Sequence, residues 1–226
     1  CRTRRLPTAC GNRARHEDTS ASSPAARAIS TRNGSRRTVA SGMGRAPRFQ
    51  EPGAVLHITT RGVQRRPIFR DDDDRRLFIA LVGQSVHRNR WTCVAYCLMQ
   101  NHYHLLVSLR DENLSRGMHR LNGIYARRFN ERYGLTGHLF EARFASRSVR
   151  TTRHMIAAAS YIDLNPVRTG LCDDPADWPW SSFRAIAGLE PRPRFLAVGR
   201  VRRLFGGGRE GADLYAAFVR ERIRRA

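Results

Sequence analysis

The chain contains no lysine. All 41 of its basic residues are arginine, against 19 acidic residues, for a formal charge of +22 over 226 residues. It also lacks any apolar run approaching the ~20 residues that a membrane-spanning helix needs. No apolar stretch follows the arginine-rich start, so that start does not read as a secretory signal. Cysteine is sparse and odd in number: Cys1, Cys10, Cys93, Cys97 and Cys172. Their spacing fits neither a zinc ribbon nor a disulfide framework, and Cys93 and Cys97 fall in a strand-like run that belongs in a core. These absences argue against membrane-embedded and disulfide-scaffold classes. The expected compartment is a reducing cytoplasm.

What the chain has is positive charge. A GC-rich coding bias explains arginine over lysine, but not the excess over acids. A polyanion is the expected partner, because each arginine–phosphate contact releases a condensed counterion. Residues 1–42 carry nine Arg against Glu17 and Asp18 and hold hardly any large apolar side chains. Such a stretch cannot bury enough surface to offset its ordering entropy. It is expected to be a disordered basic tail or an extension upstream of Met43. The remainder keeps 32 Arg against 17 acids, so the basic character belongs to the folded part as well.

From residue 54 the pattern becomes periodic. Ala54–Thr60 reads as a strand closed by Arg61-Gly62, and Asp71–Asp74 open a helix running to about Asn89. Four acids there complement the helix dipole, and capping is favoured over a carboxylate metal site. Thr92–Met99 and Tyr103–Ser108 read as strands with Asn101-His102 at their junction. Leu114–Tyr133 has helical spacing and stops at Gly134. Phe144–Val149 is a further strand. Thr151 or Thr152 caps a helix through Leu164, before Pro166. A last amphipathic helix covers about Ala212–Arg224. The order strand, helix, strand, strand, helix, strand, helix predicts an α+β fold. It is compatible with a ferredoxin-like antiparallel sheet carrying helices, plus a C-terminal helical extension.

Two histidines at i and i+2 on a strand share a face, so His102 and His104 can present two imidazoles to one divalent ion, with Tyr103 pointing the other way. A pair of hydrogen-bonded or surface histidines is the plainer alternative. The apolar character of the rest of the strand favours metal. Tyr161 and Asn165 lie one helical turn apart on one face. Asn165 offers a carbonyl oxygen suited to Mg²⁺ or Mn²⁺, and Tyr161 offers a phenol that can attack phosphorus. A packed tyrosine followed by a C-capping asparagine would leave the same pattern.

The run Gln100-Asn-His-Tyr-His-Leu-Leu-Val107 resembles the His-hydrophobe-His signature of the IS200-like, single-tyrosine transposases. Four further runs resemble their REP-associated tyrosine transposase branch, in the family's order. They are Gly53–Gly62, Gly137–Phe144, Tyr161–Gly170 (Tyr-Ile-Asp-Leu-Asn-Pro-Val-Arg-Thr-Gly) and Trp178–Phe183. The resemblance covers about residues 43–183, implying a catalytic domain there with 184–226 as a C-terminal extension, and it implies the ferredoxin-like fold of the His-hydrophobe-His (HUH-type) nucleases. It also implies cleavage of single-stranded DNA near imperfect palindromic hairpins through a 5′-phosphotyrosine, followed by strand transfer. On this reading His102, His104 and Asn165 hold Mg²⁺ or Mn²⁺, and Tyr161 is the nucleophile with Asn165 beside it. The protein would act on the nucleoid, as a monomer or a homodimer.

Tyr125 is the rival nucleophile. Its partner amide, Asn130, is five residues on and turned away from the phenol, which favours Tyr161. Tyr133 and Tyr96 read as packing residues. His57 could approach the metal, though a structural hydrogen bond is the favoured role. Arg127, Arg128, Arg132, Arg143 and Arg147 are the candidate DNA-binding residues. Trp178 and Trp180 are expected to pin a C-terminal segment to the core rather than stack on bases. The competing functions are a metal phosphodiesterase that uses water and a non-catalytic, regulatory hairpin-binding relative.

Overall fold

A computed structural model describes residues 52–224. The expected basic extension over 1–42 and the start at Met43 lie outside the described residues. Four strands, β1 (Val55–Arg61), β2 (Thr92–Leu98), β3 (His102–Ser108) and β4 (Ala145–Val149), form one sheet in the order β2-β3-β1-β4. All neighbours are antiparallel. Helix α1 (Asp72–Arg88) joins β1 to β2, and α2 (Leu114–Tyr133) joins β3 to β4. This is the β-α-β-β-α-β ferredoxin-like arrangement, with its two crossover helices packed together.

Alternation along β1 sorts the two faces. Leu56, Ile58 and Thr60 are buried, while Val55, His57, Thr59 and Arg61 are only partly so. The first set lies over an aromatic cluster beneath the sheet, where Phe78 of α1 meets Tyr103 of β3 at 4.5 Å and Tyr125 of α2 at 5.0 Å between ring centroids. Each such fully buried ring contributes roughly 2–3 kcal/mol by leaving water. β2 and β3 are the most deeply covered strands; in each only the first residue, Thr92 or His102, is partly exposed. Cys93 and Cys97 are free and buried, and burial pushes the Cys93 thiol up to about 12.

Local signals set the element ends. Asp71 caps α1 by accepting from the Asp74 amide at 3.0 Å. Thr151 caps α3 (Thr152–Asp163) by accepting from the His154 amide at 3.1 Å. Pro166 does not stop the chain from turning helically again. A second short helix, α4 (Asn165–Arg168), follows at once with the proline in its first turn, where a missing N–H costs nothing. α3 lies along β2 and β3 on the sheet face opposite α1 and α2.

The C-terminal part belongs to the same compact unit as the sheet. It comprises α5 (Phe183–Ile186), α6 (Val198–Arg202) and α7 (Gly208–Arg224). α7 starts four residues before the expected Ala212. Three glycines at positive φ, Gly206 to Gly208, make the turn that feeds it. Trp178 donates its indole N–H to the Leu98 carbonyl at 3.1 Å, and the Trp180 carbonyl accepts from the Leu98 amide at 2.9 Å. The Trp-Pro-Trp segment therefore fastens the extension to the end of β2. No described helix is long and apolar enough to cross a membrane.

Candidate functional site

Antiparallel register assembles the site. His104 pairs with Thr59, His102 with Arg61, and His57 with Arg147 across neighbouring strands. Directly opposed residues share a face, so His57, Thr59, Arg61, His102, His104 and Arg147 line the face on which α3 sits. Tyr103 points to the other side, into the aromatic cluster. The β2–β3 turn that carries His102 is tied down from outside the sheet. The Gln100 carbonyl accepts from the Ile68 and Phe69 amides at 3.0 and 3.1 Å, and the Asn101 carbonyl from Gly62 at 2.8 Å. Gly62 must be glycine for this, since a Cβ there would collide with the Arg66 carbonyl.

α3 lowers Tyr161 onto the histidines. Its ring lies 5.9 Å from both His57 and His104, edge-on to each, while His102 and His104 are 5.1 Å apart. Ala158, Ala159 and Ile162 are the buried, inward side of the helix, and Tyr161 at its rim stays 39 % exposed. A buried carboxylate holds the helix in place. Asp163 accepts from the Ser182 and Tyr215 hydroxyls, each at 2.7 Å. Burial pushes this carboxyl up to about 7, with the two hydrogen bonds pulling the other way. Sequence reasoning missed this clamp; its three members are far apart along the chain.

The three imidazoles are held neutral. Burial first, then the Arg147 and His154 charges, lowers His57 to about 4. Burial and Arg61 lower His102 to about 4. Burial, then the neighbouring histidines and Arg61, lowers His104 to about 2. A neutral imidazole is the form that ligates a metal. His104 Nδ1 lies 2.9 Å from His57 Nε2 and 3.2 Å from Thr59 Oγ1. Its Nε2 is buried without a hydrogen-bond partner. A buried nitrogen left open beside a second histidine fits a divalent ion. Among the described residues no three His, Cys, Asp or Glu side chains are grouped to share one ion. Further ligands would have to be oxygens, from Asn165, water or a substrate phosphate.

Asn165 is buried one turn beyond Tyr161. Its amide nitrogen donates to the Tyr161 and Ile162 carbonyls at 2.8 and 3.4 Å. That occupies the amide nitrogen in the joint between α3 and α4. Tyr125 sits elsewhere: it is fully buried on the opposite face, and its hydroxyl donates to the Ile68 carbonyl. Burial drives its phenol well above the ordinary tyrosine range.

The arginines divide. Arg132 is engaged in the protein, pairing with Asp71 and the buried Asp74 at 2.8 Å each. Arg127 is exposed on α2 and faces Glu131 at 3.8 Å. Arg128, Arg143 and Arg147 are exposed. Arg147 shares the histidine face, whereas Arg127 and Arg128 ride on the helical layer behind the sheet. A residue not singled out from sequence, Arg168, places its guanidinium 4.9 Å over the Tyr161 ring. Reading Pro166 as a stop hid it; continued helical spacing from Tyr161 would have put it two turns on.

Comparison with known proteins bears on the family and the fold. Residues 52–165 match the family described as IS200-like transposases. A protein of Haemophilus influenzae described as a REP-associated tyrosine transposase is 30% identical over 128 residues, covering 51% of this chain and 72% of the relative. The fold is similar to a solved REP-associated tyrosine transposase bound to a REP hairpin. That likeness has a TM-score of 0.55 at 20% identity, over 69% of this chain and 92% of that one. The chain belongs to the IS200-like transposase family.

Proposed function

We propose that this transposase cuts and rejoins single-stranded DNA at imperfect palindromic hairpins, with Tyr161 as its nucleophile. The observation that carries the reading is the half-exposed Tyr161 phenol, edge-on to His57 and His104 on one sheet face. Support for a hairpin substrate comes from the similar solved transposase, which is bound to one. His102 and His104 would hold Mg²⁺ or Mn²⁺ through Nε2, with the Asn165 side-chain oxygen as a further ligand, and the ion would supply Lewis-acid polarisation of the scissile phosphate.

The Tyr161 hydroxyl attacks phosphorus and loses its proton to the solvent that reaches the exposed ring. The P–O3′ bond breaks, the 3′-hydroxyl leaves, and a 5′-phosphotyrosine remains. Ester exchange conserves the energy of the broken bond, so a later 3′-hydroxyl can reverse the step without ATP. Asp163, held by Ser182 and Tyr215, keeps the helix from moving Tyr161 off line. Arg147 contacts phosphates on the active face, Arg143 contacts them from the segment before β4, and Arg127 and Arg128 contact them behind the sheet. The catalytic domain ends near residue 183, and 184–226 buttress it. The place of work is the nucleoid.

The test is a single-stranded hairpin labelled at its 3′ end, incubated with the full chain and Mn²⁺ and run on a denaturing gel. Wild type should carry label on the protein band, and Tyr161→Phe and His102→Ala should not. Cleavage by Tyr161→Phe at the wild-type rate would sink the proposal, because water would then be the nucleophile.

A further inference from the structure

Both histidines of the pair are approached at Nδ1 by a side chain that plays no part in the chemistry proposed above. His102 Nδ1 lies 2.7 Å from Asn101 Oδ1, and Asn101 Nδ2 donates to the Arg65 carbonyl at 3.0 Å. The second bond orients the amide, because only its NH₂ can face a carbonyl. The group facing His102 is therefore an acceptor, and His102 Nδ1 must carry the proton. Its Nε2 is left with a free lone pair.

His104 leads to the same result by another route. Its Nδ1 is shared with His57 Nε2 at 2.9 Å and Thr59 Oγ1 at 3.2 Å, whereas its Nε2 is buried and unpartnered. Nε2 has no protein partner in either tautomer, but a lone pair there can be met by the proposed ion, whereas a proton would stay a buried donor with no acceptor. A proton on Nδ1 has His57 to receive it. The Asn101 arm is built with some strain. Arg65, whose carbonyl anchors the amide, and its neighbour Gln64 both sit at positive φ, 58° and 52°. Non-glycine residues rarely adopt this conformation, and it costs on the order of 1–3 kcal/mol each.

We infer that His57 and Asn101 are positioning residues which hold His104 and His102 in the Nδ1–H tautomer, so that both Nε2 lone pairs face the same side of the site. The inference rests on the proposed metal reading for its purpose and for the tautomer of His104, though not for that of His102. An imidazole freed of these partners would reorient or move its proton to Nε2, and the lone pair would be lost to the ion. Outer partners of this kind typically change metal affinity 10–100-fold.

Two measurements on the full-length chain test this. Imidazole ¹⁵N shifts in the metal-free protein read the tautomer directly. Wild type should show His102 and His104 as Nδ1–H. His57→Ala should move His104 toward Nε2–H, and Asn101→Ala should do the same to His102, each without altering the other. His57→Gln, whose carbonyl reaches the position of Nε2, should restore His104. Calorimetric Mn²⁺ titration should show roughly 10–100-fold weaker binding for each alanine variant, with recovery in His57→Gln. A wild-type His104 in the Nε2–H form, or tautomers unmoved by both alanine variants, overturns the inference. Unchanged Mn²⁺ affinity in both variants overturns it too, provided His102→Ala abolishes binding. If wild type shows both Nδ1–H tautomers but takes up no Mn²⁺, the metal reading falls instead.

Discussion

Tyr161 and Tyr125 stand on opposite faces of one sheet, the first edge-on to His104 at 5.9 Å and the second buried 5.0 Å from Phe78. The separation gives the two phenols different expected phenotypes. Tyr125→Phe loses a hydrogen bond to the Ile68 carbonyl but keeps its ring in the cluster. It should destabilise the fold by about 1 kcal/mol in urea unfolding and still form the covalent DNA adduct at the wild-type rate. Loss of the adduct in a folded Tyr125→Phe protein would contradict the assignment of Tyr161.

The Asp163 clamp predicts a pH signature. Its folded-state carboxyl is raised to about 7 from an ordinary 3.8 by burial. The folded chain therefore holds this proton over a range in which the unfolded chain has lost it. Asp163 thus contributes most below about pH 4, and the contribution declines as pH rises through 7, by an amount on the order of 4 kcal/mol. Asp163→Asn removes that decline. The stability gap between wild type and Asp163→Asn, from urea unfolding at pH 5 to 8, should shift steadily in favour of the variant as pH rises. A gap independent of pH would rule out the raised carboxyl.

Charge placement separates arginines that hold the fold from arginines proposed to hold DNA. Arg132→Ala unpairs the buried Asp74 and should lower the unfolding midpoint, while leaving hairpin affinity close to that of wild type. The Arg143→Ala/Arg147→Ala pair is exposed and should leave the midpoint unchanged. It should weaken hairpin binding and reduce the slope of log affinity against log salt by about 1.4, at ~0.7 per single-strand phosphate contact. Fluorescence anisotropy at three salt concentrations checks both.

Much of this was legible because it is local and periodic. Alternation in β1, caps at Asp71 and Thr151, and the spacing of Leu114–Tyr133 each write themselves into a short window. The shared face of His102 and His104 follows from a strand's period of two. What was not legible is set by register between strands or by chain reversal. His57 reaches His104 only because β1 pairs with β3 in one particular alignment. Ser182 and Tyr215 find Asp163 only after the extension folds back over α3. Helices of four or five residues, such as α5 and α6, are too short to show a period. Arg132 read as a phosphate contact because its acidic partners lie on another helix.

Arg168 offers the most direct probe of how the nucleophile is tuned. Its guanidinium lies 4.9 Å from the Tyr161 ring centroid, on a short helix that restarts immediately after α3. A cation over a tyrosine ring attracts the ring's electron density, and it stabilises negative charge developing on the oxygen more than it stabilises the neutral phenol. The exposed position of both groups limits the effect, so roughly 1 kcal/mol, or about 5-fold in rate, is the expected scale. Arg168→Ala should therefore slow single-turnover adduct formation about 5-fold on saturating hairpin. Arg168→Lys, which keeps the charge on a flexible stem, should recover part of that loss. Because the loss is expected in the chemical step, it should persist at saturating DNA and should not be mirrored in hairpin affinity at fixed salt. A variant that binds the hairpin 5-fold more weakly yet forms the adduct at full speed when saturated would mark Arg168 as a phosphate contact instead.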